Sequence, residues 1–203
     1  MGVYAVKPRF RLALRGVEAA LIRRGVSADA LTACGLAAAF AAAGCVLGSS
    51  RIPLLWLGVP ALAVARLACN ALDGMVAVST RSARPLGQVF NETADRVADA
   101  AVLLALTARG GAAMLGAACL AAVLCTSYLG TVAAAAGGTR QYGGVMGKAD
   151  RMLLLAAAAP AALLLPTPAV LRGMLAAITA GVAVTFVQRC SAIRRELSTT
   201  RTR

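Results

Sequence analysis

The chain has 203 residues, 60% of them hydrophobic, with a mean hydropathy of +0.77. Lys and Arg number 21 against 8 Asp and Glu, for a net charge of +13, and His is absent. So much apolar mass excludes an ordinary soluble domain. In a polytopic membrane protein, basic loops set topology and meet anionic lipid, so the charge does not imply a nucleic-acid partner and none is expected.

In chain order, residues 5–24 alternate apolar Phe10, Leu14, Val17 and Leu21 with basic Arg11, Arg15 and Arg23 at helical spacing. That pattern predicts an amphipathic helix lying on the membrane surface. The spread of cations through residues 1–25 does not match a cleavable signal peptide. Ser27 or Asp29 is placed to cap a first span over 28–48. Arg51 and Pro53 mark a turn, and further spans are predicted over 54–77, 90–108, 112–136, 148–165 and 169–188, punctuated by glycines and prolines. The fold class is therefore all-α: six transmembrane helices behind an N-terminal surface helix. We read a single domain over 1–203, with a juxtamembrane helix at 1–26, a six-helix core at 27–190 and a basic tail at 191–203.

The six cysteines lie mostly inside apolar runs without CxxC spacing, which suits packing better than a zinc site. Lys and Arg concentrate in the N-terminal segment, at Arg81 and Arg84, at Arg140 and Lys148, and in the tail at Arg194, Arg195, Arg201 and Arg203. The opposite connections hold Arg51, Arg109 and Arg172. The positive-inside rule then predicts a multi-pass cytoplasmic (inner) membrane protein with both termini cytoplasmic.

Half of the acidic residues (Asp73, Glu92, Asp95, Asp99) fall within 27 positions. Carboxylates beside hydrocarbon are costly and mark function. Asn70 and Asp73 share a face of the second span, and Asn91, Asp95 and Asp99 form a stripe on the third. A 12-residue link over 78–89 lets the two helices return antiparallel with these faces opposed. Oxygen ligands so arranged suit Mg²⁺ or Mn²⁺. Gly74 and Gly87 leave room for a polar ligand to reach the backbone. The alternative is a set of structural ion pairs with Arg66, Arg81, Arg84 and Arg96, and Glu92 with Arg96 has the i,i+4 spacing of such a pair. Asp99, one turn beyond Asp95, favours the protonated form of Asp95 and so suits it to act as a base.

A second constellation, Arg140, Lys148 and Arg151, precedes and opens the fifth span. Lys148 and Arg151 share a face and are placed to hold a phosphate of an acceptor or a lipid. A topology signal with headgroup contacts is the other reading. Gln141 and Tyr142 adjoin this group.

These residues resemble the signature of the CDP-alcohol phosphatidyltransferase family, Asp-x-x-Asp-Gly-x-x-Ala-Arg, a short spacer, then Gly-x-x-x-Asp-x-x-x-Asp. The spacing falls on Asn70, Asp73, Gly74, Ala77, Val78, Gly87, Asn91 and Asp95. Asn70 and Asn91 stand where the family has Asp, and Val78 where it has Arg. The run Asn70–Met75, with Asn91-Glu92-Thr93 and Gly147–Arg151, resembles a bacterial branch that shares the two Asn. The resemblance implies transfer of a phosphatidyl group from a CDP-linked lipid such as CDP-diacylglycerol to a small alcohol, with release of CMP, in phospholipid biosynthesis. It implies Asn70, Asp73, Asn91 and Asp95 as ligands of Mg²⁺ or Mn²⁺, with Asp95 also the catalytic base. It implies nucleotide contacts from Asp73, Gly74, Ala77 and Gly87, with Arg81 or Arg84 in place of the missing Arg, and a homodimer. Two amides for two carboxylates remove two negative charges, which favours one ion over two unless Glu92 or Asp99 compensates. The alternative is a catalytically inactive membrane protein of the same fold that binds CDP-lipid or a partner.

Overall fold

Ser27 opens the first long helix: its side chain accepts the backbone N–H of Ala30 at 3.1 Å, an N-cap that satisfies one of the free donors of the first turn. The computed structural model describes residues 7–200. Among these it has seven helices: α1 (Lys7–Arg23), α2 (Ala28–Gly48), α3 (Gly58–Ser79), α4 (Pro85–Gly110), α5 (Ala113–Ala135), α6 (Lys148–Leu164) and α7 (Thr167–Thr200). A short 3₁₀ turn, Pro53–Leu57, leads into α3, and there is no strand among the described residues. Residues 5 and 6 of the predicted first helix, and Arg201 and Arg203 of the tail, lie outside the described residues.

Four helical stretches are long and apolar enough to cross a membrane: Ala28–Gly48, Pro53–Ser79, Ala113–Ala135 and Thr167–Ser198. The six predicted spans all exist as helices, but α4 and α6 carry the charged residues of the candidate site and do not meet that test. Large apolar side chains, among them Phe40, Leu47, Leu54, Leu104 and Leu164, point outward, as expected where the surrounding solvent is hydrocarbon.

Two boundaries differ from the sequence reading. The link between α3 and α4 spans 80–84, not 78–89. Ser82 N–H bonds back to Ala77 O at 3.0 Å, closing the end of α3 around Arg81, which adopts a left-handed φ of 53°. Arg84 is extended, as a residue before proline must be, and Pro85 starts α4 with a φ already suited to a helix. Gly87 therefore sits in the first turn of α4. The second difference is α7, whose 34 residues reach about 51 Å and absorb the predicted basic tail as far as Thr200.

α2 is the centre of the arrangement and packs against both α3 and α4. α3 also packs on α6, α5 on α7, and α4 on α5 and α7. The contact surfaces are built from small residues, including Ala39, Ala43, Ala63, Ala98 and Ala159, with Val46, Val59 and Val102 between them. Lipid supplies no hydrophobic drive between helices, so close van der Waals packing of small side chains must hold the bundle together. α1 docks on α3 through a smaller cluster in which Leu14, Leu21 and Ile22 meet Leu72 and Val76. α3 and α4 do not approach through their backbones; both lean on α2, and side chains bridge the gap between them, Asn91 to Asp73 and Arg66 to Asp99.

Candidate active site

Side chains from α2, α3, α4 and α6 span that gap at the end of the bundle where α3 stops and α4 and α6 begin. Asp73 is buried on α3. Its Oδ2 accepts Asn91 Nδ2 at 2.6 Å and Thr32 Oγ1 at 3.1 Å. Asn91 comes from α4 and Thr32 from α2, so one carboxylate ties three helices. Asn70, one turn before Asp73, keeps its Nδ2 buried with no hydrogen-bond partner. A buried donor left without a partner costs about 1–3 kcal/mol, a sign that the position serves more than packing.

Asp95, nearly three turns into α4, is held by Lys148 Nζ from the first residue of α6 and lies 3.9 Å from Arg96 Nη2. One turn deeper, Asp99 is enclosed between two guanidiniums: Arg66 Nη2 at 2.9 Å and Arg151 Nη2 at 2.6 Å. Arg66 also meets Met152 Sδ at 3.2 Å. Glu92 pairs with Arg140 from the 136–147 loop and lies 3.8 Å from Arg96, the predicted i,i+4 partner.

The residues expected to work together do gather, in a different grouping from the one the spacing suggests. Asp99 and Glu92 are both engaged by arginine, so neither is placed to replace the charge lost at Asn70 and Asn91. Nor is Asp99 an unpaired charge beside Asp95: its partners are Arg66 and Arg151. Arg151 is itself buried against Asp99, whereas Arg140 and Lys148 both face acids of α4. Arg84 pairs with Asp29 at the surface, and Arg81 is exposed at the end of α3. Gly74 faces open space, and Ala77 is half-buried one turn on. At Gly87 a Cβ would stand 3.3 Å from Asp29 Oδ1, so glycine lets the start of α4 approach α2.

Thr32 escaped the sequence reading. Its only signal was its place one turn after Asp29, on the face of α2 that turns to α3. Chemically, Asp73 and Asn91 meet at this end of the bundle, and Asp95 and Asn70 carry further side-chain oxygens of the kind that suits a hard divalent cation. No three Asp, Glu, His or Cys side chains cluster for a metal among the described residues.

No protein-family model matches the chain. Its overall structure resembles that of phosphatidylinositol phosphate synthase from Mycobacterium tuberculosis in two crystal structures. The one in complex with manganese and citrate gives a TM-score of 0.68 at 23% identity, covering 89% of this chain and 88% of that one. The one with CDP-DAG bound gives 0.66 at 24% identity, covering 88% and 92%. These likenesses define the class by fold: a helical bundle built as phosphatidylinositol phosphate synthase is. Inner membrane protein YnbA of Escherichia coli is 33% identical over 167 residues, which cover 82% of this chain and 83% of YnbA. By this relative and this shared fold, the chain belongs to the CDP-alcohol phosphatidyltransferase family.

Proposed function

We propose that the protein transfers a phosphatidyl group from a CDP-linked lipid, such as CDP-diacylglycerol, to a small alcohol and releases CMP, with the help of one Mg²⁺ or Mn²⁺. The observation that carries this reading is the pair of carboxylates, Asp73 and Asp95, in the polar gap between α3 and α4. Solved proteins of this fold have been captured with CDP-DAG and with manganese.

In this reading Asn70, Asp73, Asn91 and Asp95 hold the ion, which when bound draws charge off the phosphate. Gly74 and Ala77 leave space for the nucleotide beside Asp73, Gly87 lets α4 close on α2 next to them, and Arg81 and Arg84 lie at the adjoining surface. The acceptor hydroxyl oxygen attacks the phosphorus carrying the diacylglycerol. Asp95 takes the hydroxyl proton, the bond from that phosphorus to the CMP oxygen breaks, and CMP leaves. Arg140 and Lys148 meet phosphate on the acceptor or the lipid, with Arg151 behind them.

The same reading places the chain in the inner membrane as one domain and a homodimer. It makes α4 and α6 the remaining two of six spans, lays α1 on the membrane surface, and puts both termini and the site on the cytoplasmic side. A basic α1, and Arg194 and Arg195 in the C-terminal part of α7, support that orientation.

The second reading, a protein of this fold that binds CDP-lipid without turnover, is favoured by one detail: Asp73 already accepts the Asn91 amide, and Asp95 already has a cation. Metal-dependent CMP release from CDP-diacylglycerol, by purified protein with a panel of acceptors, separates the two. Release supports the transferase. Binding of the lipid with no release under any metal supports the second reading.

A further inference from the structure

Cations crowd the acids of α4. Glu92 meets Arg140 and Arg96, Asp95 meets Lys148 and Arg96, and Asp99 meets Arg66 and Arg151. Asp73 is held instead by Thr32 and Asn91. Four of the cations are arginines, and each contacts Glu92, Asp95 or Asp99 through its guanidinium. Lys148 alone is a compact ammonium, and it sits on Oδ1 of Asp95, one of the two carboxylates facing the gap.

Its position is built. Lys148 is the first residue of α6, and Gly147 N–H bonds Asp150 Oδ2 at 2.9 Å, which fixes the helix start. The loop before it is pinned to α7: Met146 N–H donates to Thr185 Oγ1 at 2.9 Å, and Arg189 donates to Gly143 O at 2.9 Å and Tyr142 O at 3.2 Å. At Gly144, with φ 137°, a Cβ would fall 2.1 Å from Thr185 Cγ2, so only glycine lets the loop lie this close. The ammonium is thus presented to Asp95 by a clamped segment, on a side chain long and flexible enough to withdraw.

We propose that Lys148 is the resident counter-ion of Asp95, and that a divalent cation binds by displacing it. The inference rests on the transferase reading of the site and adds a coupling to it. Removing the Lys148 charge lowers the cost of bringing a second cation to Asp95. A CDP-lipid does the same from the other side, because its diphosphate brings negative charge that offsets the arriving cation. Mn²⁺ alone therefore binds the free protein weakly and the nucleotide-loaded protein well. The displaced ammonium is then free to meet phosphate.

The test is Mn²⁺ binding, read by electron paramagnetic resonance on full-length protein in detergent, with and without CDP. Without nucleotide, Lys148→Met binds Mn²⁺ about tenfold or more tightly than the wild type, and Lys148→Arg stays at the wild-type level. Asp95→Asn combined with Lys148→Met loses the gain, which locates it at Asp95. CDP raises the Mn²⁺ affinity of the wild type more than that of Lys148→Met. Should Lys148→Met fail to fold, Lys148→Gln carries the same expectation. Equal or weaker Mn²⁺ binding in a folded neutral variant, while the wild type still releases CMP with metal, overturns the counter-ion role alone. Absence of Mn²⁺ binding and of CMP release in every variant overturns both this role and the transferase reading.

Discussion

At the scale of single residues, Asp73 and Asp95 have separate partners. Asp73 joins α2, α3 and α4 through Thr32 and Asn91, while Asp95 faces Lys148 across the gap. Asp95→Asn is expected to lower CMP release by about 10²–10⁴-fold, the usual contribution of a positioned base, and to leave CDP-lipid binding within a few-fold of wild type. Asp73→Asn is expected to weaken both. Normal turnover in either variant contradicts these roles. Asp99 belongs to stability. It is buried between Arg66 and Arg151, so Asp99→Ala strands two buried guanidiniums and is expected to cost about 3–5 kcal/mol, seen as a fall in the thermal unfolding midpoint in detergent. The acids were legible in the sequence because carboxylates are rare in so apolar a chain. Their partners were not. Asp95 meets Lys148, 53 positions away, and Asp99 meets Arg151, 52 away, and no local spacing encodes either contact.

At the scale of elements, helix existence was legible and helix ends were less so. α2, α5 and α6 begin and end within a residue or two of the positions that Ser27, the paired glycines and Pro166 suggest. α4 starts earlier because Pro85, read as part of a link, is a favourable first helical residue. α7 runs on because Arg194, Arg195 and Glu196 look like a solvated tail but are good helix formers. That extension has a visible purpose. Thr139 N–H and Oγ1 both reach the Glu196 carboxylate, at 2.6 and 3.0 Å, and Gln141 Nε2 reaches it at 2.9 Å. The end of α7 thereby holds the loop that brings Arg140 to Glu92. Glu196→Ala is expected to speed hydrogen exchange of the Thr139 amide and its neighbours in the loop, while amides in the middle of α7 stay protected. Unchanged exchange in the loop rules out the clamp. Gly144→Val, which places side-chain atoms inside Thr185, is expected to loosen the same loop and to lower turnover along with it.

At the scale of the whole molecule, a bundle of small-residue contacts carries a charged gap at one end. The apolar runs and the signature spacing made the class of fold readable before any coordinates. The gap itself was not readable, because it depends on α2 standing against both α3 and α4 and keeping them apart. The deciding measurement is CMP release from CDP-diacylglycerol by the purified protein. It is run with Mg²⁺ or Mn²⁺, against glycerol 3-phosphate, serine, inositol phosphate and plain polyols, beside Asp95→Asn. A transferase built on Asp73 and Asp95 gives release that requires both a divalent metal and one acceptor and disappears in the variant. Release that continues undiminished in Asp95→Asn, or binding of CDP-lipid with no release under any of these conditions, contradicts it.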